Sequence, residues 1–455
     1  MSILGNEVKR VEDPRFLTGE ATFVGDVALR GADPDLPPPA HAVFARSSMA
    51  HARVLSIETG DAQAAPGVLG VFTMADLDVA LVPTWGPVPP GTERTAMATD
   101  KVRFVGEPIA VVVAETAHQA ADAAELIWAD YDPLPAVTEP LEAAEDGTLL
   151  FDEFGTNVVS SRGYDKALDF GGCDVVVTAP IVNNRMSAAP IEPRVALAAW
   201  SGDQLTMWSS TQGAHAARDQ IATVAKLDAG NIRVIVPDIG GSFGAKGGPA
   251  PEECILPLLA KSVGTPVQWV ETRTENLQSM GWSRAQWQTV TMGGTADGTI
   301  THYQLEVIAE VGAYAEAGVF MPTFTRMMTQ GVYDIPNIAF MGKTVLCNTA
   351  PLVAFRGAGR PEATAALERA VDLFANEAGL DPVEVRTKNF IRADAFPFTT
   401  KVGTVYDCGD YEAALEQALA AADYPTLRAE QRARRERGDV KQLCIGLSCY
   451  VEITA

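Results

Sequence analysis

Paired cysteines are missing from this chain. Its six cysteines, Cys173, Cys254, Cys347, Cys408, Cys444 and Cys449, form no C-x-x-C pair, and the closest two have four residues between them. That spacing gives no sign of an iron–sulfur or zinc site, and scattered cysteines read as small buried hydrophobes. Histidine is scarce as well. His41, His51, His118, His215 and His302 show no metal-ligand spacing, so any metal is expected to arrive inside a cofactor. Basic charge is short: 35 Lys and Arg stand against 58 Asp and Glu, for a net charge of −23. A nucleic-acid backbone or an anionic membrane is therefore not the expected partner. Long apolar runs are absent too. The longest, "PIAVVVAE" from Pro108, falls far short of the ~20 residues of a membrane helix. "MSILGNEVKRVEDPRF" has neither an apolar core nor a small-residue cleavage pattern, so no signal peptide is expected and the cytoplasm is the default.

What is present is core material. Apolar residues make up 47% of 455 and charged residues 20%, enough for more than one domain. "HAVFARS", "GVLGVFT" and "KVRFVGEPIAVVVAET" read as strands after a proline-rich loop at Gly31–Pro39. "TAHQAADAAELIWADYDPLP" reads as a helix capped by Thr116 and ended before Pro133, with Ala117, Ala120, Ala121, Ala124 and Ile127 on one face. The fold class is α+β: a first domain at 1–145, a polar linker at 146–165 and a second domain at 166–455. The second domain opens with "CDVVVTAPIVNN" and a hairpin, "ALAAW" and "LTMWSST" around "SGDQ". "AHAARDQIATVAKL" is a helix with Ala217, Ile221, Val224 and Leu227 aligned. "VTMGGTADGTITHYQLEVIAEV" is a second hairpin. "PLVAF" and the tail Leu443–Ile453 read as strands. "PEATAALERAVDLFANEAG" and "YEAALEQALAAAD" read as helices, the former with Ala363, Leu367, Ala370, Val371, Phe374 and Ala378 as its apolar stripe.

Two loops share one design: strand, glycine turn, then a helix that starts Pro-Glu. They are "GGSFGAKGGPAPEE" after "NIRVIV", and "FRGAGRPEAT". Such turns free the backbone to approach a ligand, and their amides suit anions or oxo groups. Two phosphate-binding motifs fail on them. A P-loop needs G-x-x-x-x-G-K-[ST], yet Gly247 follows Lys246 and Ala245 precedes it. A dinucleotide fingerprint would place Glu362 where its third glycine belongs. A tight connection without a ligand remains the alternative for each loop. "STQGAH" adds Gln212 at a strand end, a donor for an oxo group or else a helix cap.

In this order and spacing, "TQG", "GGSFGAKG" and "FRGAGRPEA" resemble the molybdenum-binding large subunit of the xanthine oxidase family of molybdenum hydroxylases, in the aerobic carbon monoxide dehydrogenase-like branch. "VKRVEDPRFLTGEATFVGD" and "VRFVGEPIAVVVAET" resemble that family's α/β hammerhead-like domain. The resemblance runs along essentially the whole chain. It implies a hammerhead-like domain followed by the first part of the molybdenum-cofactor-binding domain, incomplete on this chain. It implies a molybdenum–molybdopterin cytosine dinucleotide held by Gln212, Gly241, Ser242, Phe243, Gly244, Arg356, Gly357 and Ala358. Of these, Gln212, Phe243 and Arg356 lie in the molybdenum environment without ligating it through a side chain. The implied reaction is oxidative hydroxylation with oxygen from water. Electrons leave to [2Fe-2S] clusters and FAD on partner subunits, in a complex expected to be dimeric.

Departures from the family pattern narrow this. The carbon monoxide enzymes carry a copper-holding cysteine in the loop matching "FRGAGR", and here the residues are Gly357, Ala358 and Gly359. The purine oxidases carry a glutamate and a phenylalanine where Gly247 and Ala358 stand. A heteroaromatic ring or an aldehyde is then the expected substrate. The family's glutamine-rich pterin loop and general-base glutamate find no match, and Glu452 is not promoted to that role. No catalytic residue is placed on this chain. It is expected to be inactive alone, completed either by a partner chain or by more of its own. A non-catalytic scaffold that retains the fold, or a carbon monoxide dehydrogenase-like protein without the copper cysteine, are the alternatives.

Overall fold

The computed structural model describes residues 6–27, 37–163 and 166–453. Residues 31–36 of the expected proline-rich loop lie outside these. The chain forms two compact units, each built from separate stretches of sequence. Met1–Ala136, Ser187–Trp282 and Asn348–Val353 make the first; Val137–Met186, Ser283–Cys347 and Ala354–Ala455 make the second.

The first unit holds a seven-stranded mixed sheet in the order Ile232–Ile235, Gln204–Ser209, Val195–Ser201, Val267–Val270, Ala40–Arg46, Pro108–Ala114, Val68–Thr73. N-terminal and later strands meet where Ala40 pairs in parallel with Val267. Pro108–Ala114 is buried along its whole length, as its unbroken apolar run requires. The hairpin around Gly202 forms as its alternation predicts, Leu205 opposite Trp200. Helix Pro251–Val263 opens on its proline and closes on left-handed Gly264. Its Cys254, Ile255, Leu256 and Leu259 pack with Met207 and Trp269 in the core.

Helix Ala117–Ala124 is capped by Thr116, whose side chain accepts from Gln119 N. It is shorter than the sequence suggests, because Trp128–Pro133 leaves to pair with Ala52–Glu58. Its face is also rotated from the expected one. Ala120 and Ala123 are buried, with Ala124 and Ile127 packed beside them, whereas Ala117 and Ala121 are exposed.

The second unit holds a five-stranded sheet in the order Val158–Arg162, Asn337–Leu346, Ile300–Gly312, Gln286–Gly294, Val175–Asn183. Val158–Arg162 falls in the stretch read as a polar linker and pairs antiparallel with Asn337–Leu346. Helix Arg360–Ala378 buries Ala366, Leu367, Ala370, Val371 and Phe374 against Met292, Tyr303 and Leu305. It stops at left-handed Gly379. Ile232–Ile235 forms as expected, but "PLVAF" does not: only Leu352 makes a bridge, to Trp282.

The tail is not a strand either. Residues 441–453 are extended but unpaired. Their alternation is nevertheless real, since Leu447, Cys449 and Val451 lie against the second unit's core. Side chains take the place of a neighbouring strand. Arg386 donates to Leu447 O at 3.2 Å and Gln431 to Leu443 O at 3.0 Å, while Cys449 N donates to Glu368 Oε2 at 2.8 Å. Glu452 pairs with Arg360 at 2.6 Å. One-sided burial gives a period of two whether or not a ladder exists. Among the described residues no helix is long and apolar enough to cross a membrane.

Candidate cofactor site

Five of the eight expected site residues converge in the first unit. The strand Gln204–Ser209 delivers Thr211 and Gln212 to the glycine loop: Thr211 Oγ1 and Gln212 N both donate to Lys246 O, at 3.1 and 2.9 Å. A chain of donors then fixes the glutamine side chain. Lys246 N donates to Ser242 Oγ at 3.1 Å, Ser242 Oγ donates to Gln212 Oε1, and Gly244 N donates to the same Oε1 at 3.0 Å. A backbone N–H can only donate, so the amide orientation is set. Oε1 faces the loop, and Nε2 is left as a donor without a partner among the described residues.

The loop backbone is unusual. Gly241, Phe243 and Gly244 all have positive φ, +102°, +56° and +101°. For phenylalanine that conformation costs about 1–2 kcal/mol. The turn also leaves donors unspent. Gly240, Gly244, Ala245, Lys246 and Gly247 amides all find acceptors. Among the described residues the three successive amides of Gly241, Ser242 and Phe243 find none. Consecutive free N–H groups in a left-handed turn form a concavity for anionic or oxo ligands. The Phe243 ring stands beside them, 46% exposed.

Lys246 does not serve that ligand. It is fully buried, and its Nζ donates inward to Glu192 O at 2.9 Å and Glu192 Oε2 at 3.1 Å. Burial pulls its ammonium below the usual lysine value, with Glu192 opposing. The helix N-terminus is also spoken for. Glu253, in the first turn of Pro251–Val263, caps Ala250 N at 3.0 Å. Arg194 braces the loop from behind, donating to Ala245 O at 2.7 Å, Gly248 O at 3.0 Å and Glu253 Oε1 at 2.9 Å. Sequence reading missed Glu192, Arg194 and Glu253. Glu192 and Arg194 lie 54 and 59 residues from their partners Lys246 and Glu253 and sit in no motif, and Glu253 sits in the loop's own Pro-Glu helix start, where its link to Arg194 leaves no local signal.

Arg356, Gly357 and Ala358 belong to the second unit and form their own left-handed turn. Gly357, Ala358 and Gly359 have φ of +96°, +42° and +88°. Arg284 organises it: NH2 donates to Arg356 O at 2.6 Å, NH1 to Glu362 Oε2 at 2.9 Å, and the guanidinium lies 4.9 Å from the Phe355 ring centre. Burial raises the Glu362 carboxyl, and Arg284 opposes the rise. Arg356 itself is exposed, with no side-chain partner among the described residues. A Cβ on Gly359 would lie 2.6 Å from Thr325 N and 2.7 Å from Met321 O. Gly359→Ala is therefore expected to cost about 2 kcal/mol, read as a lower melting temperature. An unchanged melting point would show that the turn is not fixed as described.

The donor set fits an anionic, oxo-bearing cofactor better than a bare metal. Among the described residues no three His, Cys, Asp or Glu side chains group to hold a metal ion. The free amides and the Gln212 donor offer hydrogen bonds in place of ligands.

Comparison with known proteins finds two matching domain families. Residues 150–390 match the molybdopterin cofactor-binding domain family, and residues 18–135 match the aldehyde oxidase and xanthine dehydrogenase a/b hammerhead domain. The carbon monoxide dehydrogenase large chain of Afipia carboxidovorans is 34% identical, over 99% of this chain and 58% of that protein. The nicotinate dehydrogenase large molybdopterin subunit of Eubacterium barkeri is 28% identical, over 94% of this chain and 99% of that one. The crystal structure of quinoline 2-oxidoreductase from Pseudomonas putida 86 superposes with a TM-score of 0.88 at 32% identity, over 96% of this chain and 56% of that one. The chain thus spans a little over half the length of the first and third of these. Hammerhead and cofactor-binding domains occur here in the family's order, and the chain belongs to the xanthine oxidase family of molybdenum hydroxylases, in its carbon monoxide dehydrogenase-like branch.

Proposed function

We propose that this chain is the cofactor-gripping part of a molybdenum hydroxylase that oxidises a heteroaromatic or aldehyde carbon. The observation that carries this reading is the run of three amides at Gly241, Ser242 and Phe243, without acceptors among the described residues, beside the oriented Gln212. When bound, the molybdenum–pterin would supply two-electron oxidation with water as the oxygen source. The chain's own residues hold and orient. Gln212 Nε2 donates to an oxo group, the loop amides grip oxo and pterin groups, and Arg356 offers a positive charge from the second loop. Relatives that act on quinoline and nicotinate support a heteroaromatic substrate. Copper-dependent carbon monoxide oxidation is disfavoured, because residues 356–360 contain no cysteine.

The reading includes a cytosine dinucleotide on the pterin, iron–sulfur and FAD partner subunits, and a cytoplasmic, dimeric complex. It places the general base outside these 455 residues, so the isolated chain should not turn over. The test is molybdenum and pterin content of the purified complex, with Gln212→Ala as the probe. Loss of this donor should lower turnover about 10²-fold, the scale for one preorganised donor at a developing charge. An active complex lacking both molybdenum and pterin overturns the reading. Undiminished activity in the alanine variant favours a scaffold role.

A further inference from the structure

A second aromatic ring borders the glycine loop, and the sequence gives no hint of it. Val82 N and Arg94 O pair at 2.8 Å, closing the neck of an excursion that carries Pro83, Pro87, Pro89 and Pro90. Four prolines fix φ along this loop and leave it little freedom. Thr92 tightens it further, its Oγ1 donating to Pro89 O at 2.6 Å. Trp85 stands on this stiff loop, 56% exposed. Its indole reaches the site: a Cβ built on Gly247 would meet Trp85 Cζ2 at 3.7 Å, ordinary van der Waals contact. Gly247 has no side chain, so nothing from that position covers the ring. Phe243, four residues earlier in the same loop, is also exposed. Two large aromatic surfaces thus stay partly in water along one loop, Phe243 beside the amides that find no acceptor among the described residues and Trp85 at Gly247. An exposed indole on a proline-stiffened loop, with a bare glycine at its edge, is a stacking surface for another flat ring.

We propose that Trp85 is a specificity-determining residue, its indole forming the wall at Gly247 on which a planar heteroaromatic substrate stacks. This deepens the function proposed above and rests on it. The contact is made with the non-reacting face of the ring, so it contributes to binding more than to the chemical step. An aliphatic aldehyde gains little from it.

The test uses the purified cofactor-loaded complex with Trp85→Ala and Trp85→Phe. KM and kcat are measured for quinoline and for acetaldehyde, with equilibrium dialysis of quinoline and molybdenum analysis alongside. Trp85→Ala should raise both the KM and the dissociation constant for quinoline roughly 3- to 10-fold. Its kcat, its KM for acetaldehyde and its molybdenum content should stay within about twofold of wild type, the scatter expected when stacking alone is lost. Trp85→Phe keeps a ring and should stay near wild type throughout. Unchanged quinoline KM and binding in Trp85→Ala overturn the wall and leave the proposed function standing. A fall in kcat that tracks lost molybdenum, with KM unmoved, makes Trp85 structural and also overturns it. A wild-type complex that binds quinoline but oxidises neither compound overturns the proposed function, and dialysis still decides the wall.

Discussion

Arg194→Met should unfold the first unit's glycine loop from behind. The guanidinium is buried and donates to two loop carbonyls, Ala245 O and Gly248 O, as well as to Glu253. Methionine fills similar volume but donates nothing. It leaves Glu253, itself fully buried, with Ser209 Oγ and Ala250 N as its remaining partners among the described residues. Breaking a buried pair from one side costs about 3–5 kcal/mol, mostly because the remaining charge is uncompensated. In a unit of this size that is a melting-point loss of roughly 10 °C. Molybdenum content should fall too, because the loop amides lose the brace that fixes them. Adding Glu253→Gln removes the stranded charge and should recover part of the stability while leaving the loop carbonyls without donors. The two readouts then separate: stability partly returns and cofactor content does not. A single variant that melts within 1–2 °C of wild type, well under the shift for a broken buried pair, would show that Arg194 is not the brace.

That brace also shows where sequence reading stops. Gln212 and "GGSFG" were legible because the relevant chemistry is local: glycines permit positive φ, and a polar residue follows a strand. Helices Pro251–Val263 and Arg360–Ala378 were legible because proline and glycine punctuate them and apolar spacing marks one face. The sign of Lys246 was not legible. Its spacing already failed a phosphate motif, but only the fold shows Nζ turned inward to Glu192. Arg194 meets Glu253 across 59 residues of sequence, Glu192 meets Lys246 across 54 and Ser209 meets Glu253 across 44, and no local pattern encodes such meetings. Helix Tyr424–Arg437 escaped because it carries little apolar signal, with only Gln431 buried. Trp85 escaped for the opposite reason: a lone aromatic in a proline-rich loop carries no period at all. The tail departs from the strand expectation because a period of two reports one-sided burial, which needs no paired strand.

Arg386→Met tests what replaced that pairing. Arg386 is fully buried and reaches five acceptors in the second unit: Glu368 Oε2 at 3.0 Å, Glu368 O at 3.3 Å, Asp372 Oδ1 at 2.9 Å, Pro382 O at 3.2 Å and Leu447 O at 3.2 Å. Glu368 also accepts from Tyr333 OH and from Cys449 N. One buried network thus ties helix Arg360–Ala378, helix Pro382–Asn389 and the extended tail together. Loss of the guanidinium should cost about 3–5 kcal/mol. It should also speed hydrogen exchange across 447–451, since the tail has no ladder to fall back on. The pH dependence has a definite sign. Burial raises the Glu368 carboxyl above its ordinary value, and Arg386 is the strongest group opposing that rise. Without Arg386 the carboxyl rises further. A raised folded value means stability that is present at low pH and lost as pH climbs through it. The gap between variant and wild type should therefore be wider at pH 8 than at pH 5. Glu368→Gln added to Arg386→Met removes the buried charge and should flatten that pH dependence while the tail stays loose. A single variant with an unchanged melting point, or a gap that widens on acidification, would mean that the network does not hold the second unit together.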